Sequence, residues 1–369
     1  MSQNLSIRPM LCPPGNGVFT VNTAKERKEE LHQLYYQEKN PQKVEEQWLK
    51  SLEKLKDTKL ALLGVCSDCG GGIQRGANWG PLFLRQSLYN LNPLYKNPNF
   101  VDLGDIRVIP HLLHDKYLNE ATIKGCRKAL YNDESSKLPV SPLSQTEEVL
   151  NSFYELNPQG KVITLGGDHS VSYPAVKTYL QHKLKQKKKV ALIHFDAHTD
   201  LLHERLGIDL CFGSWVTHIL SDLPGPEYCF QLGIRSSGKD RGHWEQAFGI
   251  QQFWNYEFKK EGAKKISQLI IEDLKKKGVE EIYVSFDIDA LDETEASATG
   301  TPEENGLMVD ECLNFLYLLS EEFAITGADL MEVAPFLNMP TKKPKINPEP
   351  QATLLAAQSI LNFFVECML

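Results

Sequence analysis

The segment KVALIHFDAHTD, residues 189–200, joins a run of aliphatic residues to a dense group of carboxylates and imidazoles. Its first half is apolar at successive positions, which is typical of a strand buried on both faces of a sheet. Its second half places Asp196, His198 and Asp200 at alternate positions. Carboxylates that lie close together raise one another's pKa values unless a cation lies among them. The segment therefore predicts a buried strand that ends at a cation site, with a metal ion as the candidate cation.

Other short apolar runs lie along the chain, and segments with helical patterns separate them. The candidate strands are LALLGV (60–65), KVITLGG (161–167), YCFQLGI (228–234), EIYVSFDID (281–289) and FAITGADLMEV (323–333). Candidate helices between them include residues 173–187 and 262–277. Buried strands that alternate with helices form a parallel sheet covered on both sides. The sequence therefore predicts an α/β fold, a three-layer α/β/α sandwich with a central parallel sheet.

The first 57 residues do not follow this pattern, and we expect them to form an N-terminal extension to a main domain of residues 58–369. Residues 1–20 carry several prolines and glycines and indicate an irregular arm. Residues 23–56 are strongly charged, and their apolar residues from Trp48 to Leu55 follow helical spacing. This segment predicts an amphipathic helix that is interrupted at Asn40-Pro41.

The composition excludes some classes of partner. The 369 residues include 40 basic and 48 acidic side chains, for a net charge of −8. An acidic balance does not favour nucleic acid or an anionic membrane surface as a partner, and it is compatible with a small cationic substrate. No apolar run reaches the roughly 18 residues that span a bilayer. The N-terminus lacks the pattern of a signal peptide, so we expect a cytoplasmic protein.

The eight cysteines are scattered, and we expect them to be reduced. Cys66 and Cys69 have C-x-x-C spacing, which is compatible with a zinc or redox site. Because no second pair and no nearby histidine accompanies them, the sequence favours ordinary loop cysteines.

Four candidate strands end in acidic or histidine residues, in ITLGGDHS, LIHFDAHTD, VSFDIDALD and GADLMEV. Open α/β sheets bind ligands at the carboxyl ends of their strands. The ligand-type residues there are His169, Asp196, His198, Asp200, Asp287 and Asp289. Oxygen-rich sites with one or two imidazoles suit manganese and similar divalent ions. Six such side chains exceed the needs of one ion with an open position and suit a two-metal site with shared aspartates.

These motifs together identify a family. GGDHS, DAHTD, SFDIDALD and MEV resemble the signature segments of the ureohydrolase superfamily, which comprises arginase, agmatinase and formimidoylglutamase. GGGIQRGANWGPLFLRQSL (70–88) resembles its N-terminal G-x-R-x-G-P-x-x-R segment. The resemblance covers residues 58–367 and implies the arginase-like fold.

The resemblance also implies roles for the residues at the strand ends. It assigns one manganese ion to His169, Asp196, Asp200 and Asp287, and a second to Asp196, His198, Asp287 and Asp289, with Asp196 and Asp287 bridging. Nickel or cobalt ions are alternatives. Asp200 would hold the attacking hydroxide and pass its proton to the leaving amine. Glu332 in MEVAP would pair with the guanidinium group, and Thr301 in TGTPEENG would line the same pocket.

The sequence departs from the family at several positions. Phe212 replaces a loop histidine that contacts substrate or shuttles protons in arginases and agmatinases; its ring could stack on a planar cation. Trp215 is expected to make the pocket apolar and narrow, and Leu202 replaces a polar residue that holds an amino acid in arginase. His203 or His218 is an alternative for the missing histidine. Arg235 in QLGIRSSGKD is a candidate for a substrate carboxylate, and bonding to backbone carbonyls is the alternative.

The sequence therefore predicts a manganese-dependent enzyme that hydrolyses a guanidino compound or linear amidine and releases urea. Hydrolysis of formimidoylglutamate, with release of formamide, is the alternative that the missing histidine favours. A catalytically inactive regulatory or structural homologue is a third possibility, against which the complete set of ligands argues. The family's trimers and hexamers imply a homo-oligomer.

Overall fold

A computed structural model describes residues 7–18, 25–69, 74–337 and 352–369 of the chain. Its strands are β1 (Leu11–Cys12), β2 (Leu60–Gly64), β3 (Phe100–Ile106), β4 (Lys161–Leu165), β5 (Val190–Phe195), β6 (Cys229–Leu232), β7 (Gln251–Phe253), β8 (Glu281–Asp287) and β9 (Ala324–Met331). Its helices are α1 (Lys25–Tyr36), α2 (Pro41–Leu52), α3 (Gly80–Leu91), α4 (Glu120–Tyr131), α5 (Pro142–Leu156), α6 (Ser172–Lys185), α7 (Arg241–Phe248), α8 (Asn255–Glu261), α9 (Ala263–Lys277), α10 (Glu293–Ala296), α11 (Val309–Ser320) and α12 (Ala352–Met368).

The strands of the described residues form one sheet in the order β1-β3-β2-β4-β9-β8-β5-β6-β7. All neighbouring pairs are parallel except β1 and β3, which are antiparallel. The strands are almost entirely buried, as their continuous apolar runs predict. The predicted α/β fold with a central parallel sheet is confirmed, and an antiparallel strand is added at one edge.

Helices cover both faces of this sheet. Strands β3 and β4 lie on opposite sides of β2, so right-handed crossovers place α3 and α5 on opposite faces. Helix α12 packs against α3 and α11, and α11 packs against α9. Helix α6 packs against α5 on the other face. Among the described residues, no helix is long and apolar enough to cross a membrane.

The N-terminal residues join the sheet and its hydrophobic core. Leu11 and Cys12 pair with the end of β3, so the arm that the sequence predicted to be irregular contains an edge strand. The predicted interruption of the helix is present, because the Asn40 side chain caps α2 and Pro41 occupies its first turn. Trp48 on α2 is buried and donates from Nε1 to Leu103 O at 3.1 Å. The boundary at residue 58 stays a prediction, since both sides of it share one core.

A buried ion cluster ties the arm to β3. Arg85 on α3 is fully buried and binds both carboxylate oxygens of Asp102, at 2.8 and 2.9 Å. The same guanidinium bonds to Asp105, whose Oδ2 accepts the backbone N–H groups of Gly15 and Gly17 at 2.7 and 3.0 Å. Each buried charge therefore has a partner, which is the condition for a buried ion pair to be tolerated.

Candidate metal centre

Four neighbouring strands, β4, β9, β8 and β5, bring the predicted ligands together. Phe195 at the end of β5 lies opposite Phe286, and Asp287 at the end of β8 lies opposite Met331. The strand ends are therefore level, and adjacent strands lie about 4.8 Å apart. The ligand-type and acidic residues at or just after these ends are His169, Asp196, His198, Asp200, Asp287, Asp289 and Glu332.

His169 lies at the centre of a first group of ligand-type atoms. Its Nδ1 atom lies 3.1 Å from Asp196 Oδ2, 3.2 Å from Asp200 Oδ2 and 3.0 Å from Asp287 Oδ2. This nitrogen is buried, and none of the three contacts has the geometry of a hydrogen bond. Carboxylate oxygens that surround one imidazole nitrogen in this way fit a divalent cation.

His198 lies in a second group that shares Asp196 with the first. Its Nδ1 atom lies 3.1 Å from Asp289 Oδ2 and 3.3 Å from Asp196 Oδ1. The two oxygens of Asp196 thus face different groups, which suits a bridge. Asp287 contacts His169 through Oδ2 only, and its Oδ1 accepts Asp289 N at 2.9 Å. A bridging role for Asp287 stays a prediction.

The electrostatics of the cluster favour a cation. Burial and then repulsion from Asp289 and Asp196 raise the pKa of Asp287 well above its usual range. Burial alone would lower the pKa of His169, but its three carboxylate neighbours raise this pKa well above the ordinary value. Among the described residues, the carboxylates of the two groups form ion pairs only with histidines. The cluster holds protons that a divalent ion would displace.

The backbone is unusual at two of the predicted catalytic residues. Asp200 has a φ of 51° and Glu332 a φ of 62°. A left-handed conformation costs a residue with a Cβ atom about 1–2 kcal/mol. Such conformations concentrate at functional sites, where the surrounding structure holds them.

Glu332 is buried next to His169. It is 4% exposed, and its Oε1 accepts the His169 backbone N–H at 2.9 Å. Its own N–H donates to Gly167 O at 2.9 Å. Position 167 requires glycine, because a Cβ atom there would lie 1.4 Å from Ser67 O. This close approach brings the GGDHS loop and the residue after β9 together.

Thr301 also contacts the cluster, through the predicted metal ligand Asp289. Its hydroxyl donates to Asp289 Oδ2 at 3.1 Å. Of the two residues predicted to line the substrate pocket beside the metals, Thr301 therefore contacts the second group and Glu332 the first.

Sequence reasoning missed two roles in the cluster. Trp215, predicted to narrow an apolar pocket, is fully buried and donates from Nε1 to Asp200 Oδ2 at 2.8 Å. His194 lies within ligand distance of the first group, and its Nε2 lies 2.9 Å from Asp196 Oδ2. The available signal for His194 was its place in HFDAHTD, two residues before Asp196. No sequence signal indicated which atom Trp215 would contact.

Arg235 does not meet the prediction of a substrate-binding guanidinium. Its Nε donates to Glu304 O at 3.0 Å, and its Nη1 donates to Gly233 O and Ala290 O at 3.2 and 3.1 Å. Its Nη2 reaches the carbonyls of Asp289, Leu291 and Glu303 at 2.7–3.0 Å. All five N–H groups therefore have backbone acceptors, and the alternative reading of a structural arginine fits.

Phe212 is half-buried, and the guanidinium group of Arg205 lies over its ring. The Arg205 guanidinium lies 5.0 Å from the centre of its ring, so the predicted stacking partner comes from the same loop. Leu202, which is 42% exposed, pairs through its N–H with Gly213 O at 3.0 Å. The replacement histidines have other contacts: the His203 ring packs on Phe248, and His218 Nε2 lies 2.9 Å from Asp209 O. Neither belongs to the metal groups.

Cys66 and Cys69 are free thiols. Cys66 is buried, and Cys69 donates from Sγ to Leu112 O at 2.8 Å. Burial raises the pKa of Cys69 to about 11. Neither belongs to a metal-type group among the described residues, which agrees with ordinary loop cysteines.

Comparison with known proteins agrees with the site. The sequence model described as the arginase family matches residues 58–364. The chain belongs to the arginase family. The predicted superfamily is confirmed, and the chain is an enzyme of the ureohydrolase class.

Individual relatives have low sequence identity to this chain, but they match most of its length. The chain is 27% identical over 291 residues to an agmatinase of Bacillus cereus, which covers 78% of this chain and 88% of the relative. It is 29% identical over 292 residues to the mitochondrial guanidino acid hydrolase of Homo sapiens, with 74% and 71% covered. The structure of proclavaminate amidino hydrolase from Streptomyces clavuligerus superposes with a TM-score of 0.63 at 23% identity, over 84% of this chain and 91% of that one. At that identity the superposition shows the fold alone.

Proposed function

We propose that this enzyme hydrolyses a C–N bond of a small guanidino compound at a centre of two manganese ions, with release of urea and an amine. The observation that carries the proposal is Glu332. This carboxylate is buried beside the metal-type groups, and burial with repulsion from Asp287 and Asp168 raises its pKa well above the usual range. It forms no ion pair with lysine or arginine in the part of the chain described. A planar guanidinium would neutralise it and match it with two parallel hydrogen bonds.

The two overlapping groups support two ions. His169, Asp196, Asp200 and Asp287 would hold the first, and Asp196, His198 and Asp289 the second, with Asp287 proposed as a further bridge. Mostly oxygen donors with one imidazole for each ion favour manganese, and nickel or cobalt ions suit the same donors. When bound, such a pair supplies Lewis acidity and a water of lowered pKa.

The side chains of this chain then have distinct tasks. Asp200 Oδ2 lies 3.2 Å from His169 Nδ1 and accepts the indole N–H of Trp215. Its Oδ1 is left to accept a proton from the attacking water and to pass it to the leaving amine. Glu332 orients the guanidinium so that its central carbon faces that water. Thr301 holds Asp289 in place from the second group.

Urea release by the manganese-loaded protein tests this proposal. The panel should run from guanidine and agmatine through 4-guanidinobutyrate to arginine. Urea from at least one compound is expected. No urea from any of them, with metal bound, would favour formimidoylglutamate, for which the replacement of the loop histidine by Phe212 argues, and formamide would then be measured. If neither product is released, the remaining alternative is a catalytically inactive homologue.

Glu332→Gln tests the role of the carboxylate. The variant keeps the shape of the side chain and should still bind two ions. Urea release should fall at least about 30-fold, because loss of one partner of a buried charge pair costs about 2–5 kcal/mol. Glu321→Gln, at an exposed position after α11, is the matched control and should keep full activity. An active Glu332→Gln enzyme would remove the main support for a cationic substrate.

The assembly and location remain predictions. The family resemblance implies a trimer or hexamer, which light scattering of the purified protein would test. A cytoplasmic location is expected from the sequence and would be tested by fractionation.

A further inference from the structure

A row of buried polar side chains crosses the sheet beside the metal-type groups. His194 on β5 lies in register opposite Gln231 on β6, and Gln231 lies opposite Gln252 on β7. All three side chains are fully buried. Because a buried donor or acceptor without a partner is costly, the donors and acceptors along such a row must match. The direction of each hydrogen bond can therefore be deduced.

The direction is set at both ends of the row. The Trp254 indole N–H is a donor only, and it donates to Gln252 Oε1 at 2.9 Å. Gln252 Nε2 consequently donates to Gln231 Oε1 at 2.8 Å. Gln231 Nε2 then donates to the carbonyl of Thr199 at 2.6 Å, which is an acceptor only. The amide orientations of both glutamines are fixed by these contacts.

This order determines the tautomer of His194. Gln231 Nε2 lies 3.0 Å from His194 Nδ1 and is a donor, so Nδ1 accepts and carries no proton. Since Nδ1 accepts, the ring proton is on Nε2, which donates to Asp196 Oδ2 at 2.9 Å. A nitrogen that carries a proton has no lone pair for a metal ion. His194 lies among the possible ligands of the first group, but its tautomer excludes it.

Ser285 fixes the other histidine, His169, in the opposite way. Ser285 on β8 lies in register between His194 and Asp329 on β9. Its hydroxyl donates to Asp329 Oδ1 at 2.8 Å and lies 3.1 Å from His169 Nε2. The Ser285 oxygen therefore accepts the Nε2 proton of His169. Nδ1 is therefore the nitrogen of His169 that can give up its proton and offer a lone pair to an ion among the three carboxylates.

We infer that His194 is a positioning residue and not a metal ligand. The row Trp254–Gln252–Gln231 holds it as the tautomer that donates to Asp196, and this bond orients Asp196 so that its oxygens are divided between the two groups. The inference rests on the proposed two-ion centre. Loss of such an outer partner of a metal ligand typically weakens metal affinity or activity about 10–100-fold, without loss of the site.

His194→Phe separates the two roles. The variant removes both ring nitrogens but keeps a flat ring against Trp215, whose ring centre lies 5.0 Å from that of His194. At saturating manganese it should still bind two ions per chain, with an affinity about 10–100-fold weaker than that of the wild type. The visible absorption of the cobalt-loaded protein should keep its shape, because no ligand is lost. Loss of one ion at saturation, or an altered cobalt spectrum, would overturn the inference.

Gln231→Met tests the row without altering the imidazole itself. This variant should also bind manganese more weakly than the wild type. Since Gln231 acts through His194, the double variant with His194→Phe should have the same manganese affinity as His194→Phe alone. Gln252→Met is the matched control with a smaller effect, because the Thr199 carbonyl still orients Gln231. Additive losses in the double variant would contradict the relay. If His194→Phe does not fold, unchanged affinity in Gln231→Met overturns the inference.

Failure of the proposed function gives a different result. A wild-type protein that binds no ion would contradict the metal centre itself. A wild-type protein with two ions and a His194→Phe variant with one would contradict only the positioning role.

Discussion

Two groups of buried carboxylates lie on the same sheet, and their negative charges are balanced in different ways. On β3, Asp102 and Asp105 lie on either side of the Arg85 guanidinium, which bonds to both. At the ends of β4, β5 and β8, the carboxylates form ion pairs only with imidazoles among the described residues. The first group contains its own cation and is a structural part of the core. The second has no lysine or arginine partner among the described residues, which indicates that a metal ion from solution replaces the protons of its imidazoles.

The largest effect is expected at the metal-type groups. Asp287→Ala should abolish urea release and the binding of both ions, because the residue contacts His169 and is proposed to bridge. The metal content of the purified variant would be measured after incubation with manganese. Asp310→Ala, at an exposed position of α11, is the control and should keep both ions. Two ions bound to Asp287→Ala would refute the bridging role.

The structural group should respond in stability instead. Arg85→Met leaves two buried carboxylates without their cation, so the free energy of unfolding should fall by about 3–5 kcal/mol. Urea unfolding, monitored by circular dichroism, measures this loss. The folded fraction should still bind two manganese ions. A variant as stable as the wild type would contradict the claim that Arg85 is the structural cation of the first group.

The metal-type groups should also release protons when ions bind. Burial would lower the pKa of His198, but Asp289 and Asp196 raise it, and the pKa of His169 is raised likewise. These raised pKa values favour protonated rings in the metal-free protein, and a ring must lose the proton from its ligating nitrogen before it can bind an ion. Calorimetry in buffers of different ionisation enthalpy should therefore find a net release of protons when manganese binds. Release of no protons at pH 7 would contradict this electrostatic account.

The sign of the pH dependence follows from the same shifts. Histidines with raised pKa values stabilise the metal-free protein below the unfolded value of about 6.5, and this contribution is lost as pH rises. Manganese affinity should increase over the same range. Manganese should therefore raise the melting temperature more at pH 8 than at pH 6, and the reverse order would count against the account.

The smallest effect is expected at the edge of the site. Phe212→His introduces the loop histidine that the family resemblance implies, but it removes the ring under Arg205. Activity on agmatine or arginine should rise several-fold at constant metal content. If neither substrate responds, Leu202 and the surrounding loop, and not position 212, limit the choice of substrate.

The sequence predicted those features that depend on residues close together along the chain. DAHTD and SFDIDALD place their ligands by the local geometry of a strand end, so the ligand-type residues and the parallel sheet could be read directly. The partners of Arg235 lie up to 69 residues away along the chain, and no local pattern indicates that its donors are saturated. The pairing of β1 with β3 joins residues 11 and 106, which are likewise distant in sequence. The role of His194 depends on Gln231 and Gln252, which meet it only across neighbouring strands.

The most direct test of the account is the number of manganese ions bound per chain at saturation, measured on the metal-free protein by titration and elemental analysis. Two ions per chain are predicted, because two overlapping groups of ligands have no lysine or arginine partner among the described residues. A protein that binds none would contradict the central claim that the buried carboxylates at the strand ends form a metal centre.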